Sequence, residues 1–352
     1  MRIGAWLLRL PLVTPYRLAF GPVEALDTVI VRVESAEGVE GFGEATLLTG
    51  YTDETIGETW EKARALVEAA HSESFDLRGA LDKLDATHPF LTTAFRTAIE
   101  MAANDPRLFL DTPARVPILG LLQGETPEQM RREADRLVAE GYATVKVKVG
   151  FYPAGDADVV AMAQLALAGR ARIRIDANQG FDAAQAIDFV SRLSSDSIEL
   201  FEQPCAAGDW DAHMQVVPVA RDHGIPLMLD ESIYSLREIQ EAARLGAAQF
   251  IKVKLMKFSS LARLEAAILK IRALGMKSVL GNGVAADVGC WMEACIAARH
   301  IDNAGEMNGF LKPRERLLAD ELVFAKGAIE LPAGWRPRLD TERLERIALA
   351  RA

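Results

Sequence analysis

The apolar positions of this chain change rhythm near residue 113. Before it, residues 3–13 and Asp27–Ser35 (DTVIVRVES) read as strands. The segment Glu37–Ala45 (EGVEGFGEA) contains a Gly-rich turn between strands. Thr52-Asp53-Glu54-Thr55 opens a helical pattern that runs through Ala70, with acidic residues in its first turn. A second helical pattern spans Leu91–Asn104 (LTTAFRTAIEMAAN), and Asp105-Pro106 and Asp111-Thr112-Pro113 end it. These features predict an α+β unit over residues 1–112.

Beyond residue 113, short β-branched runs alternate with helical patterns. The runs are Val116–Gly120, Thr144–Val149, Arg172–Ala177, Ile198–Pro204, Pro226–Ser232, Gln249–Leu255, Lys277–Gly283 and Ala304–Gly309. Between them lie helices such as Thr126–Gly141, with a Thr cap, a Pro in the first turn and a terminal Gly. Strands alternating with helices imply parallel strands, and eight such units fit a closed α/β barrel over residues 113–319. Residues 320–352 exceed what a barrel needs and are expected to return to the N-terminal unit.

Barrel enzymes work at the C-terminal ends of their strands. The polar residues at those ends are Lys148, Asp176, Glu202, Asp230 and Lys254, spaced 28, 26, 28 and 24 residues apart, followed by the Gly281-Asn282-Gly283 turn and Glu306. A lone carboxylate there reads equally well as a helix cap or a salt-bridge partner. Three carboxylates from consecutive strands would repel unless a cation joins them, so Asp176, Glu202 and Asp230 read as ligands for Mg²⁺, or Mn²⁺ in its place.

Lys148 and Lys254 flank that trio, and each reads as a candidate acid/base, since neighbouring cations depress a lysine pKa, or as a plain salt-bridge partner of a carboxylate. In the alternating stretch VKVKV (Val145–Val149), Lys146 shares the face of Lys148 one pleat deeper. Lys146 is expected to touch a substrate carboxylate and to tune Lys148. Lys252 reads as an ion-pair or support residue. Asn178 and Gln203 are expected to support the ligands, and Glu231 to pair with Lys254 or Lys252.

Composition narrows the partners. The net charge is −10 with no basic block, which argues against nucleic acid and anionic membranes. Three cysteines form no disulfide framework or zinc motif. No apolar run approaches the ~20 residues of a membrane span. Arg9 and Pro11 break the first apolar stretch, so a signal peptide is not expected and a cytoplasmic location is. The five histidines read as surface or structural.

The series KVK, DAN, FEQP, DES and KVKLMK resembles the enolase superfamily, in its muconate-lactonizing subgroup of muconate cycloisomerases, dipeptide epimerases and o-succinylbenzoate synthases. PYRLAFG (Pro15–Gly21) and GFGEATLLTGYTDET (Gly41–Thr55) resemble that family's capping domain. The resemblance implies a modified TIM barrel, (β/α)7β, under an α+β cap. It also implies Mg²⁺-dependent removal of the α-proton of a carboxylate through an enediolate, by a homo-oligomeric racemase, epimerase or cycloisomerase.

The same resemblance places Tyr16 and Tyr51 in capping loops that shape the pocket. Asn282, Glu306 and Asn308 become substrate contacts, with Glu306-Met307-Asn308 standing where dipeptide epimerases carry an acidic pair for an α-ammonium. A histidine-based branch of the superfamily is disfavoured because Lys254 and the GNG turn supply none. The alternatives are an o-succinylbenzoate synthase-like dehydration, a metal-free Schiff-base aldolase and a non-catalytic binding barrel.

Overall fold

Strands β1 (Arg2–Leu18), β2 (Gly21–Glu34) and β3 (Glu40–Leu47) form an antiparallel sheet in the computed structural model, which describes residues 1–18, 21–48, 52–72 and 74–352. The near-continuous apolar pattern of β2 has a direct cause: the sheet is covered on both faces. Val29, Val31 and Val33 pack against helices α1 (Ile56–Ala69), α2 (Leu77–Leu84) and α3 (Pro89–Ala102). Leu26 and Ile30 join Leu8 and Leu10 in the core that continues into the barrel.

The turn expected in this segment falls at its start, around Gly38 (φ 78°), and the glycines of GFGEA lie beyond it. Gly41 and Gly43 lie inside β3, where a Cβ would stand 2.1 Å from the carbonyl oxygens of Ala98 and Ala94 on α3. The absent side chains let the helix lie directly on the strand. The helix α2 was not anticipated; its eight residues are too few to establish a period.

The chain then forms β4 (Ala114–Pro117) and β5 (Gly120–Leu121). Next come α4 (Pro127–Ala139), β6 (Thr144–Lys148), α5 (Pro153–Leu167), β7 (Arg172–Asp176), α6 (Ala183–Ser191) and β8 (Ile198–Glu202). After these follow α7 (Trp210–Asp222), β9 (Leu227–Leu229), α8 (Leu236–Leu245), β10 (Phe250–Val253), α9 (Leu255–Phe258), α10 (Leu261–Ala273), β11 (Lys277–Leu280) and α11 (Asp287–His300). Strands β5 to β11 form one parallel seven-stranded sheet in chain order.

The expected eighth strand at 304–309 reduces to a single bridge, Gly305 with Ile118. It still joins the sheet's two edges: Gly305 N–H donates to Pro117 O, and Glu306 N–H donates to Leu280 O, both at 2.9 Å. The expected strand at 116–120 is split. Its first part, β4, pairs with the tail hairpin of β12 (Val323–Ala325) and β13 (Ala328–Leu331), and only β5 enters the barrel. After α12 (Thr341–Ile347), β14 (Ala348–Arg351) pairs with β1 at the edge of the N-terminal sheet. No helix among the described residues is long and apolar enough to cross a membrane.

Two carboxylates of the N-terminal unit grip barrel helices by their first turns. Glu44 accepts from Ala286 N (2.6 Å) and Gly289 N (2.8 Å) at α11, whose own cap residue offers no side-chain acceptor. Glu100 accepts from Leu261 N (2.8 Å) and Ala262 N (3.2 Å) at α10. Within the N-terminal unit, Glu54 does the same for α3, through Phe90 N at 2.7 Å and Leu91 N at 3.2 Å.

Burial pushes Glu54 up to about 7, although its backbone donors pull the other way. A carboxyl raised above its ordinary value near 4.5 adds stability below that value, and the contribution is lost as pH rises through 7. Melting temperature is therefore expected to fall between pH 5 and pH 8, with a shallower fall in Glu54→Gln. An unchanged slope would remove Glu54 from the account.

Candidate active site

Alternation along the barrel strands sends one set of side chains inward, in layers. Leu200, Met228, Phe250 and Val279 form a separate apolar cluster that floors the barrel. Fully buried Arg174 ties β7 to the closing segment, donating to Glu199 Oε2 (2.8 Å), Ala304 O (2.6 Å) and Asn303 Oδ1 (3.1 Å). Above lies a layer made almost wholly of charge.

Lys146 Nζ stands 2.9 Å from Asp176 Oδ2, 2.7 Å from Glu202 Oε2 and 2.9 Å from Glu306 Oε2. Lys252 Nζ stands 2.9 Å from Glu202 Oε1 and 3.8 Å from Asp230 Oδ2, and also contacts Glu306 Oε2. Each ammonium thus bridges neighbouring strands, and Glu202 joins the two. At the ends of the row stand the expected acid/base lysines. Lys148 Nζ is 2.6 Å from Asp176 Oδ2 and donates to Asn178 Oδ1; Lys254 Nζ is 2.8 Å from Asp230 Oδ2. Lys254 is almost fully buried, whereas the Lys148 side chain keeps 20% of its surface.

The charges set each other's protonation. Burial alone would raise Asp176 and Asp230, but the ammonium groups of Lys146 and of Lys254 with Lys257 hold both below the usual carboxylate range. Burial would lower Lys254, yet the Asp230 carboxylate keeps it above its ordinary value. While Asp230 stands beside it, Lys254 is therefore held as an ammonium.

Lys257 was not singled out by the sequence reading, although KVKLMK contains it. Its Nζ is 2.9 Å from Asp230 Oδ1 and 2.6 Å from Asp230 O, and 4.3 Å above the Tyr234 ring. The signal was its position three residues after Lys254, one helical turn on. Gln203 also does more than expected. Fully buried, it accepts from Asp230 N (2.9 Å) and Ser232 N (3.2 Å) and donates to Ser232 Oγ (2.8 Å) and Cys205 O (2.9 Å), with His213 Nε2 at 3.1 Å. This clamp fixes the turn that presents Asp230.

Other expectations change in detail. Glu231 accepts from Asn178 Nδ2 at 2.9 Å, and it makes no ion pair with Lys254 or Lys252 among the described residues. Burial, with Asp230 and Asp176 nearby, pushes it up to about 7. Glu306 is engaged by Lys146 and Lys252. The amide of Asn282 is spent on Val284 N (2.9 Å) and Met256 Sδ (2.6 Å). Asn308 Nδ2 donates to Leu119 O at 3.1 Å. Tyr16 lies on β1 in register with Val23, and Tyr51 lies outside the described residues.

Asp176, Glu202 and Asp230 are buried oxygen donors from three consecutive strands, the type a hard divalent cation takes. Among the described residues Glu202 Oε2 receives no aligned hydrogen bond despite Lys146 beside it, which leaves lone-pair capacity unused. The donor chemistry fits such an ion. The arrangement is nevertheless an ion-pair lattice: among the described residues no three ligand groups are gathered as a cage, because ammonium groups stand on their oxygens.

Residues 5–108 match the N-terminal domain of the mandelate racemase / muconate lactonizing enzyme family, and residues 129–337 match the enolase C-terminal domain-like family. The N-succinyl-L-Arg/Lys racemase of Bacillus cereus is 29% identical over 273 residues, 72% of each chain. Its crystal structure superposes with a TM-score of 0.87 at 22% identity, covering 99% of this chain and 98% of that one. Muconate cycloisomerase 1 of Rhodococcus opacus is 29% identical over 350 residues, 93% of this chain and 92% of the relative. The L-Ala-D/L-Glu epimerase of Clostridium acetobutylicum is 30% identical over 298 residues, covering 78% and 79%.

Proposed function

The chain belongs to the mandelate racemase / muconate lactonizing enzyme family of the enolase superfamily, and from that footing we propose that it racemises or epimerises an N-acylated amino acid by moving its α-proton between Lys148 and Lys254. One observation carries the reading. Two lysines stand at opposite ends of a buried carboxylate row, one on Asp176 and one on Asp230. A group on each side allows a proton to leave one face of a planar carbon and return to the other.

Asp176, Glu202 and Asp230 would hold Mg²⁺. The chemistry the ion supplies when bound is positive charge beside the substrate carboxylate, which stabilises the negative charge left when the α-proton departs. Lys254 Nζ and Lys148 Nζ take and return the proton. Lys146 and Lys252 hold the carboxylate row in register, and the apolar floor keeps water from below. In this reading residues 1–112, completed by the tail from residue 320, cap the catalytic barrel of residues 113–319 in a cytoplasmic homo-oligomer.

The preference for an N-acylated substrate rests on charge. An α-ammonium needs an uncommitted anion, but Glu306 is held by two lysines and the next polar position on its segment is the neutral Asn308. N-Succinyl-L-arginine and N-succinyl-L-lysine should exchange their α-proton in D₂O with Mg²⁺ and lose optical activity, read by proton NMR and polarimetry, while L-Ala-L-Glu responds weakly. Loss of water from an acceptor acid without racemisation of any amino acid would assign a dehydratase instead.

A further inference from the structure

Lys254 occupies a helix position that lysine does not serve. It is the N-cap of α9, with extended backbone (φ −135°, ψ 138°) and no side-chain cap bond. Ser, Thr, Asp and Asn dominate N-caps because their oxygens accept from the first N–H groups; an ammonium accepts nothing. Here Glu293 of α11 performs that task from outside, its Oε1 accepting Leu255 N at 2.8 Å.

Glu293 is otherwise expensive to keep. It is 1% exposed, and burial pushes it up to about 7. Its Oε2 has no hydrogen-bond partner among the described residues. The carboxyl lines a cavity of about 20 Å³ shared with Glu44, Thr46, Thr93 and Asn282, space for a single water. An apolar residue would fill this place at lower cost unless the bond to Leu255 matters.

We propose that Glu293 is a positioning residue for Lys254, holding the turn that sets this lysine against one face of the substrate. The turn is short: Lys257 N donates to Lys254 O at 3.0 Å, and Ser259 N donates to Leu255 O at 3.1 Å. It delivers two ammonium groups to one carboxylate, Lys254 to Asp230 Oδ2 and Lys257 to Oδ1. Releasing Leu255 N lets both slide, and a displacement of about 1 Å at a reacting group costs on the order of 100-fold in rate. Lys148 sits on the regular ladder of β6 and β7 and does not depend on this turn. The effect is therefore confined to one face.

The proposal rests on the two-lysine reading above, so its test has an arm without substrate. In the full-length protein, Glu293→Leu should accelerate backbone amide exchange across residues 254–259, with β6 unchanged. Glu293→Gln keeps an acceptor oxygen and should stay near wild type. Unchanged exchange in Glu293→Leu overturns the proposal whatever the substrate.

In the second arm, each enantiomer of N-succinylarginine is incubated with Mg²⁺ in D₂O, and α-deuterium is counted in the enantiomer supplied. Glu293→Leu should slow that exchange about 100-fold for one enantiomer and less than about 3-fold for the other, with KM little changed and recovery in Glu293→Gln. Equal losses for both enantiomers would mean a merely structural role and overturn the assignment. If the wild type exchanges neither enantiomer, the N-acyl substrate reading falls, and the amide-exchange arm alone decides the role of Glu293.

Discussion

Lys254→Ala is expected to reduce α-proton exchange on its face of the substrate by about 10²–10⁴-fold, the usual worth of a positioned acid or base. Racemisation, which needs both faces, should fall at least as far, while exchange on the Lys148 face persists. The variant should still fold. Asp230 keeps Lys257 on its other oxygen, and Gln203 still accepts the Asp230 N–H at 2.9 Å. Loss of one ammonium from Asp230 should leave Mg²⁺ affinity equal or higher, because a competitor for Oδ2 is gone. NMR-detected exchange in D₂O and calorimetric Mg²⁺ titration check the two halves. Full turnover in the variant would remove Lys254 from the mechanism.

Glu202→Gln should have a double effect. The amide offers a neutral oxygen in place of an anion, so Mg²⁺ binding should weaken at least tenfold, comparable to the usual cost of disturbing a metal's supporting shell. Glu202 also stands between two buried ammonium groups, Lys252 at 2.9 Å and Lys146 at 2.7 Å. Removing the anion of a buried ion pair costs about 3–5 kcal/mol, because the partner is left uncompensated. For a chain of this size the melting temperature should drop by several degrees. Calorimetry with Mg²⁺ and a thermal melt without it separate the two. Unchanged metal affinity would exclude Glu202 as a ligand, and an unchanged melt would mean that the lattice adds no stability.

The site was legible because strand ends recur at a nearly constant spacing. Lys148, Asp176, Glu202, Asp230 and Lys254 each close a short strand-like run, and the parallel sheet brings them into one row. What stayed hidden was every contact made between elements. Nothing near Lys254 in sequence announces Glu293, which lies 38 residues beyond Leu255 on another helix. Glu44 and Glu100 likewise look like ordinary surface acids until the barrel helices they cap are in place. Gly41 and Gly43 do not announce the helix they admit, because period-two alternation does not reveal a helix lying on a strand. The closing segment 304–309 reads as a strand in sequence, yet one bridge suffices to join the edges of the sheet. Reading the three carboxylates as one group does not reveal that five lysines share them, since counter-charges cannot be apportioned without distances.

The edge strand β14 also bears on how the molecule is made. Trp6 pairs with Arg351, a contact between the first and last parts of the chain, with the whole barrel synthesised in between. During translation the N-terminal sheet emerges first with the outer edge of β1 unpaired, and such an edge invites pairing with other chains. It is closed only when residues 348–351 clear the ribosome. The waiting time is the time needed to build the barrel, so nascent chains crowded on one message are most exposed to mispairing before residues 348–351 are added.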